Sequence, residues 1–312
     1  MDVTKLRYFI LACLFLLAGS HTVAQEFDTH WIAYPTVDST SQIWFRRTYT
    51  TRERPVQATI SIKTTGRFEL FVNERNISTD VLTPYREEMS DNSITTEYDI
   101  TRFLCSGNNT IAVWYSPSYP HINPRQLSVT YSGKTKDGRR FAHVSDESWL
   151  CHKANRRLLP AGGELLDNTC YPLKWNSEDI DAACWLSAIS IPNTHQEETK
   201  VYKGCYPAYK VNRIRHQNYF DTEGDSTLYE FGTAFRGWIR VTLRNAKVGE
   251  NIDIGGMKYV CNGKMDEQAY RKFTLPECRR IIVYGDNRFS REQIQEIEAI
   301  EIVPYTHDAF SF

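Results

Sequence analysis

Short segments of alternating hydrophobicity, each closed by a turn signal, run through almost the whole of this chain and leave little room for anything but antiparallel β-structure. In Gln57–Thr64, Ala58, Ile60 and Ile62 fall on one face, with Thr59, Ser61 and Lys63 on the other. Phe68–Val72 repeats the pattern after Gly66. Ile111, Val113 and Tyr115 alternate with Ala112 and Trp114, and Leu127, Val129 and Tyr131 do the same before Gly133. A side-chain period of two over four to eight residues is that of a half-buried strand. Thr65-Gly66, Ser106-Gly107-Asn108-Asn109, Asp137-Gly138 and Ala161-Gly162-Gly163 supply the turns between strands. Regular strand–turn spacing implies an antiparallel sandwich of jelly-roll type. No repeat, low-complexity tract or long helical periodicity interrupts it.

Two such units fit in 312 residues, at roughly 150 residues each. Asn193–Lys200, polar and aperiodic, follows Ile189-Ser190-Ile191-Pro192 and suits a linker. The expected division is a signal peptide over 1–24, a first β-sandwich over 25–192 and a second over 193–312. Strands in the second are expected at Lys210–His216, Leu228–Phe231, Trp238–Leu243, Asn251–Ile254, Arg280–Tyr284 and Ile300–Val303, with Ser290–Ile297 a short helix or turn.

Lys5 and Arg7 precede an apolar run, Tyr8–Ala18, and Thr22-Val23-Ala24 offers a small-residue cleavage site before Gln25. The run is shorter than the roughly 20 residues that span a bilayer, and no later stretch is a transmembrane candidate. The chain is thus expected to be exported, to the periplasm or the extracellular space. Ile10-Leu11-Ala12-Cys13 offers lipid anchoring through Cys13 as an alternative. Past that segment lie Cys105, Cys151, Cys170, Cys184, Cys205, Cys261 and Cys278, an odd number, so at least one thiol is free or pairs with another chain. Their spacing is not that of a zinc site, and scattered buried thiols with at most one or two bridges are expected. The net charge is −1, without a basic stripe, and this argues against a nucleic-acid partner.

The densest motif is Tyr229–Ile254, YEFGTAFRGWIRVTLRNAKVGENIDI. An aromatic-acidic-aromatic-Gly run leads to Gly237-Trp238, an alternating strand, a polar turn ending in Gly249-Glu250 and a second strand. In the first half, Gly66-Arg67-Phe68-Glu69-Leu70-Phe71-Val72-Asn73, Leu82-Thr83-Pro84, Tyr98-Asp99-Ile100-Thr101 and Gly107-Asn108-Asn109 follow in that order, after His30-Trp31-Ile32-Ala33 and Trp44-Phe45-Arg46-Arg47. This succession, from Trp31 to Val303, resembles the N-terminal β-sandwich domains of bacterial α-L-rhamnosidases, family 78 of the glycoside hydrolases. That family carries a pattern close to Asp-Phe-Gly-x-Asn-x-x-Gly-Trp before its catalytic helical barrel. Here Thr233-Ala234 stands where relatives carry Gln-Asn, so a polar contact to a neighbouring barrel is expected to be lost while Trp238 keeps a packing role.

Glycoside hydrolysis needs a carboxylic acid and a carboxylate several ångströms apart. The resemblance places both in the barrel, and no helical periodicity of that kind follows Ile254, so no catalytic residue is carried over. Tyr284-Gly285-Asp286-Asn287-Arg288-Phe289-Ser290-Arg291-Glu292 reads as a charged hairpin loop. No Gly-x-Ser-x-Gly or His-Glu-x-x-His motif is present, and His195, His216 and His307 are scattered. Binding chemistry remains. The segment from Trp114 to Arg125 combines Trp114, Tyr115, Tyr119, His121, Asn123 and Arg125 with three prolines, which suits a stiff sugar-binding loop or a proline-braced cover over the sandwich end. Some relatives hold a calcium ion in a related sandwich. Asp80, Asp99 and Asn109, with Asp91 and Asn92, offer oxygen ligands, although Asp99 and Asn109 also suit turns. The expected function is that of a secreted, non-catalytic binder of rhamnose-containing or other plant or host glycans, without a cofactor beyond such a calcium ion. The alternatives are a component or truncated form of an α-L-rhamnosidase hydrolysing terminal rhamnosides, with the catalytic barrel on a separate chain or lost, and a protein-interaction scaffold.

Overall fold

The computed structural model describes residues 30–36, 38–85, 92–118, 124–170, 174–192, 200–202 and 206–307. The fold is all-β, two antiparallel sandwiches in tandem, and the helical elements among the described residues are single three-residue 3-10 turns. In the first sandwich, one sheet orders Ile189–Ile191, Trp31–Ala33, Leu127–Lys134, Gln57–Thr64, Ile94–Asp99 and Lys200–Tyr202, with Arg140–Val144 beside Leu127–Lys134. The facing layer orders Glu164–Asp167, Leu150–Leu158, Ser41–Thr51, Gly107–Ser116, Arg67–Val72 and Arg75–Asn76.

The period of two sets this core. Along Gln57–Thr64 every second residue from Ala58 is buried, and Arg67–Val72 alternates in the same way. Ile43, Phe45, Ile60, Ile62, Phe68, Leu70, Ile111, Val113, Val129 and Trp149 meet between the layers. Leu104 and the part-buried Phe103 pack into the same core. The Asp99 carboxylate accepts the Thr101 backbone N–H at 2.8 Å, and Gly107, at φ +89°, turns the chain into the next strand.

The second sandwich is built on one strand. Ser226–Arg244 runs for 19 residues, where the sequence suggests two strands and a loop. Its first part pairs with Tyr219–Glu223 and Glu277–Gly285, and its last part with Ile294–His307 and Asp266–Tyr270. One strand therefore serves both layers, crossing at Phe231–Arg236, where the pairing register shifts. Gly232 sits at φ +82°, in the left-handed region that L side chains resist. At Gly237 a Cβ would lie 2.0 Å from the Ile300 carbonyl oxygen. The Phe-Gly and Gly-Trp pairs are thus the two hinges of a sheet-switching strand. Tyr229, Phe231, Ile239, Val241, Ile252, Tyr259, Val283 and Ala299 fill the core between the layers. Gly255 and Gly256, both at positive φ, close the hairpin of Asn251–Ile254 and Met257–Val260. Ser290–Ile297 divides into a 3-10 turn, Arg291–Gln293, and the start of strand Ile294–His307. Asp286 and Arg288 pair within the preceding hairpin at 2.6 Å.

The six described cysteines are free. Cys151 and Cys261 are buried and Cys278 is half-buried, but Cys105, Cys170 and Cys184 are exposed, so the expectation of buried thiols holds for only part of the set. Burial pushes the Cys151 thiol up to about 12. Cys205 and residues 193–199 of the expected linker lie outside the described residues.

The sandwiches share a sheet through a parallel pair, Glu164–Asp167 with Met257–Val260. Beside it Glu164 is fully buried, and its carboxylate accepts the backbone N–H groups of Lys272, Phe273 and Thr274, at 2.8–3.2 Å, and the Thr274 hydroxyl at 2.8 Å. Arg156 reaches the same carboxylate at 3.3 Å and the Tyr270 carbonyl at 2.7 Å. Arg271 donates to the Gly162 and Gly255 carbonyls, across the same junction. Close by, Trp44, Trp114 and Trp175 of the first sandwich pack with Phe273 of the second. A second apolar contact joins Leu82 to Tyr209, Trp238, Ile300 and Ile302. Trp238 also donates its indole N–H to the Thr274 carbonyl at 2.7 Å.

Candidate functional site

The residues singled out from sequence do not form one site. Trp114 is 7% exposed. Its indole N–H donates to Gln42 Oε1 at 2.9 Å, Trp44 and Phe273 pack edge-on to its ring, and Lys272 Nζ lies 4.6 Å from the ring centre. Tyr115 points to the opposite side of the strand, into the first core, with 2% exposure. Both rings are enclosed by protein, which leaves neither the open face that sugar stacking requires. Arg125 is buried as well, and its carbonyl accepts from the Thr65 hydroxyl at 2.5 Å. Tyr119, His121 and Asn123 lie outside the described residues.

The three calcium candidates are held by separate partners. Asp80 accepts the Tyr305 hydroxyl from the last strand. Asp99 caps the turn at Thr101. Asn109 is fully buried; its Oδ1 accepts from Asn73 Nδ2 and the Cys105 N–H, and its Nδ2 donates to the Cys105 carbonyl at 2.9 Å. Its amide is committed to its own loop and to the neighbouring Asn73 turn. Asp91 lies outside the described residues. Among the described residues, His216, Glu296 and Glu298 are instead the group whose donor atoms converge, within 4.8 Å of one another.

Two of the cavities among the described residues lie in the first sandwich. One, of about 180 Å3, adjoins the Pro124–Gln126 end of the expected loop and is lined by Tyr34, Asp38 and Gln126 among others. The other, of about 460 Å3, opens at the end of the first sandwich. Ligand pockets run from about 300 to 1,000 Å3, so only the larger is of the usual size for a bound saccharide unit. One wall is Arg52, Glu53 and Pro55, in the connection from Ser41–Thr51 to Gln57–Thr64. The other is Thr135, Lys136, Asp137 and Arg139, at the tip of the hairpin joining Leu127–Lys134 to Arg140–Val144. Phe141 and His143 complete it.

The hairpin tip is braced. Thr135 donates to the Asp137 carboxylate, which pairs with Arg139 at 3.1 Å. The Thr135 hydroxyl bond, with the Arg139 N–H and charge, holds the Asp137 carboxyl below its ordinary range. His143 packs one ring face on Tyr49, at 5.1 Å, and on Tyr131, at 5.8 Å. Desolvation and the nearby Arg47 charge hold its pKa below the ordinary imidazole value. Arg52, Glu53 and Lys136 enter no ion pair among the described residues and are open to a ligand. The site thus joins two ring edges to cationic donors and two carboxylates. That is the chemistry for binding hydroxyl groups around a pyranose. In sequence, Asp137-Gly138 reads as a turn and nothing marks its neighbours as a site. The signal that could have found them is the Asp137-Gly138 turn followed by Phe141-x-His143, which puts two rings on the same face of one hairpin strand.

Comparisons with known proteins agree with this architecture. Residues 53–211 match the family described as the alpha-L-rhamnosidase N-terminal domain. An alpha-L-rhamnosidase of Formosa agariphila is 24% identical over 252 residues, covering 74% of this chain but only 26% of its own length. Among solved structures, an alpha-L-rhamnosidase from Dictyoglumus thermophilum superposes with a TM-score of 0.76 at 20% identity, over 88% of this chain and 35% of that one. An alpha-L-rhamnosidase from Aspergillus terreus superposes with a TM-score of 0.74 at 18% identity, over 88% and 36%. The chain therefore spans about a quarter of the curated relative and about a third of each solved one. With over half of its residues matched and the same double-sandwich fold, this chain belongs to the alpha-L-rhamnosidase N-terminal domain family.

Proposed function

We propose that this chain is an exported, non-catalytic carbohydrate-binding member of its family, recognising rhamnose-containing or other plant or host glycans at the end of the first sandwich. The observation that carries this reading is the cavity of about 460 Å3 between the Arg52–Pro55 connection and the Thr135–Arg139 hairpin. It brings the Phe141 and His143 rings together with the Arg52 and Lys136 cations and the Glu53 and Asp137 carboxylates. In this reading residues 1–24 are removed on export, with anchoring through Cys13 as the alternative. Residues 25–192 then form the binding sandwich, and 193–312 the supporting one.

A second reading is that the chain works as part of an α-L-rhamnosidase, with the reaction centre supplied by polypeptide beyond it. What favours this is that the chain spans only 26% of the rhamnosidase it matches. Calorimetry with rhamnose-containing oligosaccharides tests the first reading. Saturable binding is expected, weakened at least tenfold by Arg52→Ala or Glu53→Gln. Failure to bind any such oligosaccharide would leave a scaffold role. Release of chromophore from a chromogenic rhamnoside by the purified chain would overturn the non-catalytic assignment.

A further inference from the structure

On the outer face of the second sandwich, far in sequence from the cavity, three adjacent strands place His216, Glu298 and Arg240 side by side. His216 of Tyr206–His216 pairs in register with Glu298 of Ile294–His307, and Glu298 pairs in register with Arg240 of Ser226–Arg244. Glu296 lies two residues before Glu298 on the same strand, hence on the same face. His216 Nδ1 is 3.9 Å from Glu296 Oε1. One donor atom from each of His216, Glu296 and Glu298 lies within 4.8 Å of the others.

Glu298 differs from an ordinary surface acid. Its side chain is 9% exposed, and Arg240 donates to one of its oxygens, Oε2, through both Nε, at 2.7 Å, and Nη2, at 2.5 Å. The other oxygen, Oε1, has no hydrogen bond among the described residues. A carboxylate clamped through one oxygen, with the second left open beside an imidazole and another carboxylate, is the arrangement in which an outer partner orients a metal ligand.

We propose that His216, Glu296 and Glu298 form a binding site for a divalent transition-metal ion of the zinc class, with water completing the coordination. The donor set selects the metal. Imidazole with carboxylates suits zinc and its neighbours, whereas calcium takes six to eight oxygens. Ligands about 2.0–2.2 Å from a tetrahedral ion stand about 3.4 Å apart. The donors here need to close by roughly 0.5–1.4 Å on that geometry. His216 and Glu296, with side chains 68% and 49% exposed, are free to rotate inward, while Glu298 stays anchored by Arg240. The Arg240 charge offsets one of the two carboxylates, which weakens the attraction for a cation.

The test is calorimetric titration of the full chain with Zn2+, and in parallel with Ca2+, after dialysis against chelator. Cys105, Cys170 and Cys184 are exposed thiols that also take zinc, so they are alkylated first. One Zn2+ per chain is expected, with affinity reduced at least tenfold in both His216→Ala and Glu296→Gln and no comparable Ca2+ binding. Both positions are exposed, so the variants should keep the parent melting temperature, as circular dichroism can verify. Three results overturn the site: no Zn2+ binding to the alkylated chain, undiminished binding in His216→Ala or in Glu296→Gln, or tighter binding of Ca2+ than of Zn2+.

Discussion

Glu164 is the side chain on which the union of the two sandwiches depends most directly, and its removal gives the sharpest test of the architecture. It sits on the strand that pairs in parallel with Met257–Val260, has no exposed surface, and receives Lys272, Phe273 and Thr274 backbone donors from the second sandwich. Arg156, 5% exposed as a side chain, is its ionic partner. Glu164→Ala leaves those donors and the Arg156 charge buried without their acceptor. Breaking a buried pair from one side costs about 3–5 kcal/mol. Glu164→Gln should recover only part of this. Its carbonyl oxygen can take the place of Oε1, which accepts from Phe273 and Thr274, but its amide then turns a donor toward Arg156. A loss of about 1.5–3 kcal/mol follows, the range for hydrogen bonds to charged groups. In urea, with a slope near 3 kcal/mol/M, the alanine variant should unfold about 1–1.7 M earlier than the parent. Its transition should also split, because the sandwiches lose the contact that couples them. Coincident midpoints for parent and both variants, within about 0.5 kcal/mol, would refute the reasoning.

Other consequences are as direct. Gly237→Ala drives a methyl into the Ile300 carbonyl and should cost about 3 kcal/mol or more, whereas Gly232→Ala meets only the Asn218 side chain and should cost about 1–2 kcal/mol for its positive φ; thermal melts rank the two. At Asp38, burial raises the pKa, but the Lys153 ammonium and the Ser41 and Thr40 donors more than reverse this and hold it well below the carboxylate range. A depressed carboxyl stabilises the fold above its unfolded pKa of about 3.9 and loses that contribution as pH falls through the folded value. Asp38→Asn should therefore cost about 1 kcal/mol at pH 7, allowing for solvent screening, and the gap to the parent should close below about pH 4 in denaturant titrations. In native labelling with a thiol reagent, Cys105, Cys170 and Cys184 should react first, and Cys151 and Cys261 only after unfolding, as peptide mass mapping can show.

The strands were legible because a period of two leaves a direct mark. Gln57–Thr64 and Asn251–Ile254 occupy the bounds that alternation and turn residues indicate. The sheet-switching strand was not, since glycines read as a break in the pattern. Gly232 and Gly237 carry the chain from one layer to the other without ending the strand, and only the two layers together show why a continuous strand needs them. The last strand, Ile294–His307, runs beyond the segment that alternation marks, for a related reason. Ser290–Ile297 has the composition of a helical turn, but only Arg291–Gln293 forms one, and from Ile294 the chain pairs with Ser226–Arg244 and Tyr206–His216.

The site was less legible than the fold because binding and packing draw on the same residues. Trp114 alternates with Val113 and Tyr115, so the strand places it on the outer face of the first sandwich, where a sugar platform would stand. That face is covered: Trp175 packs against Trp44 at 5.2 Å, and Phe273 arrives from the second sandwich against Trp114. Nothing local to Trp114 encodes that cover, which comes from residues 61 and 159 positions further along the chain. His216 shows the converse. In sequence it is a lone histidine, and its two glutamates lie on a strand that begins far downstream at Ile294. The register of Tyr206–His216 against Ile294–His307 is what turns three scattered side chains into neighbours. A double-sandwich chain hides its sites in strand register and in the faces its two halves cover, and those are the properties that alternation alone leaves open.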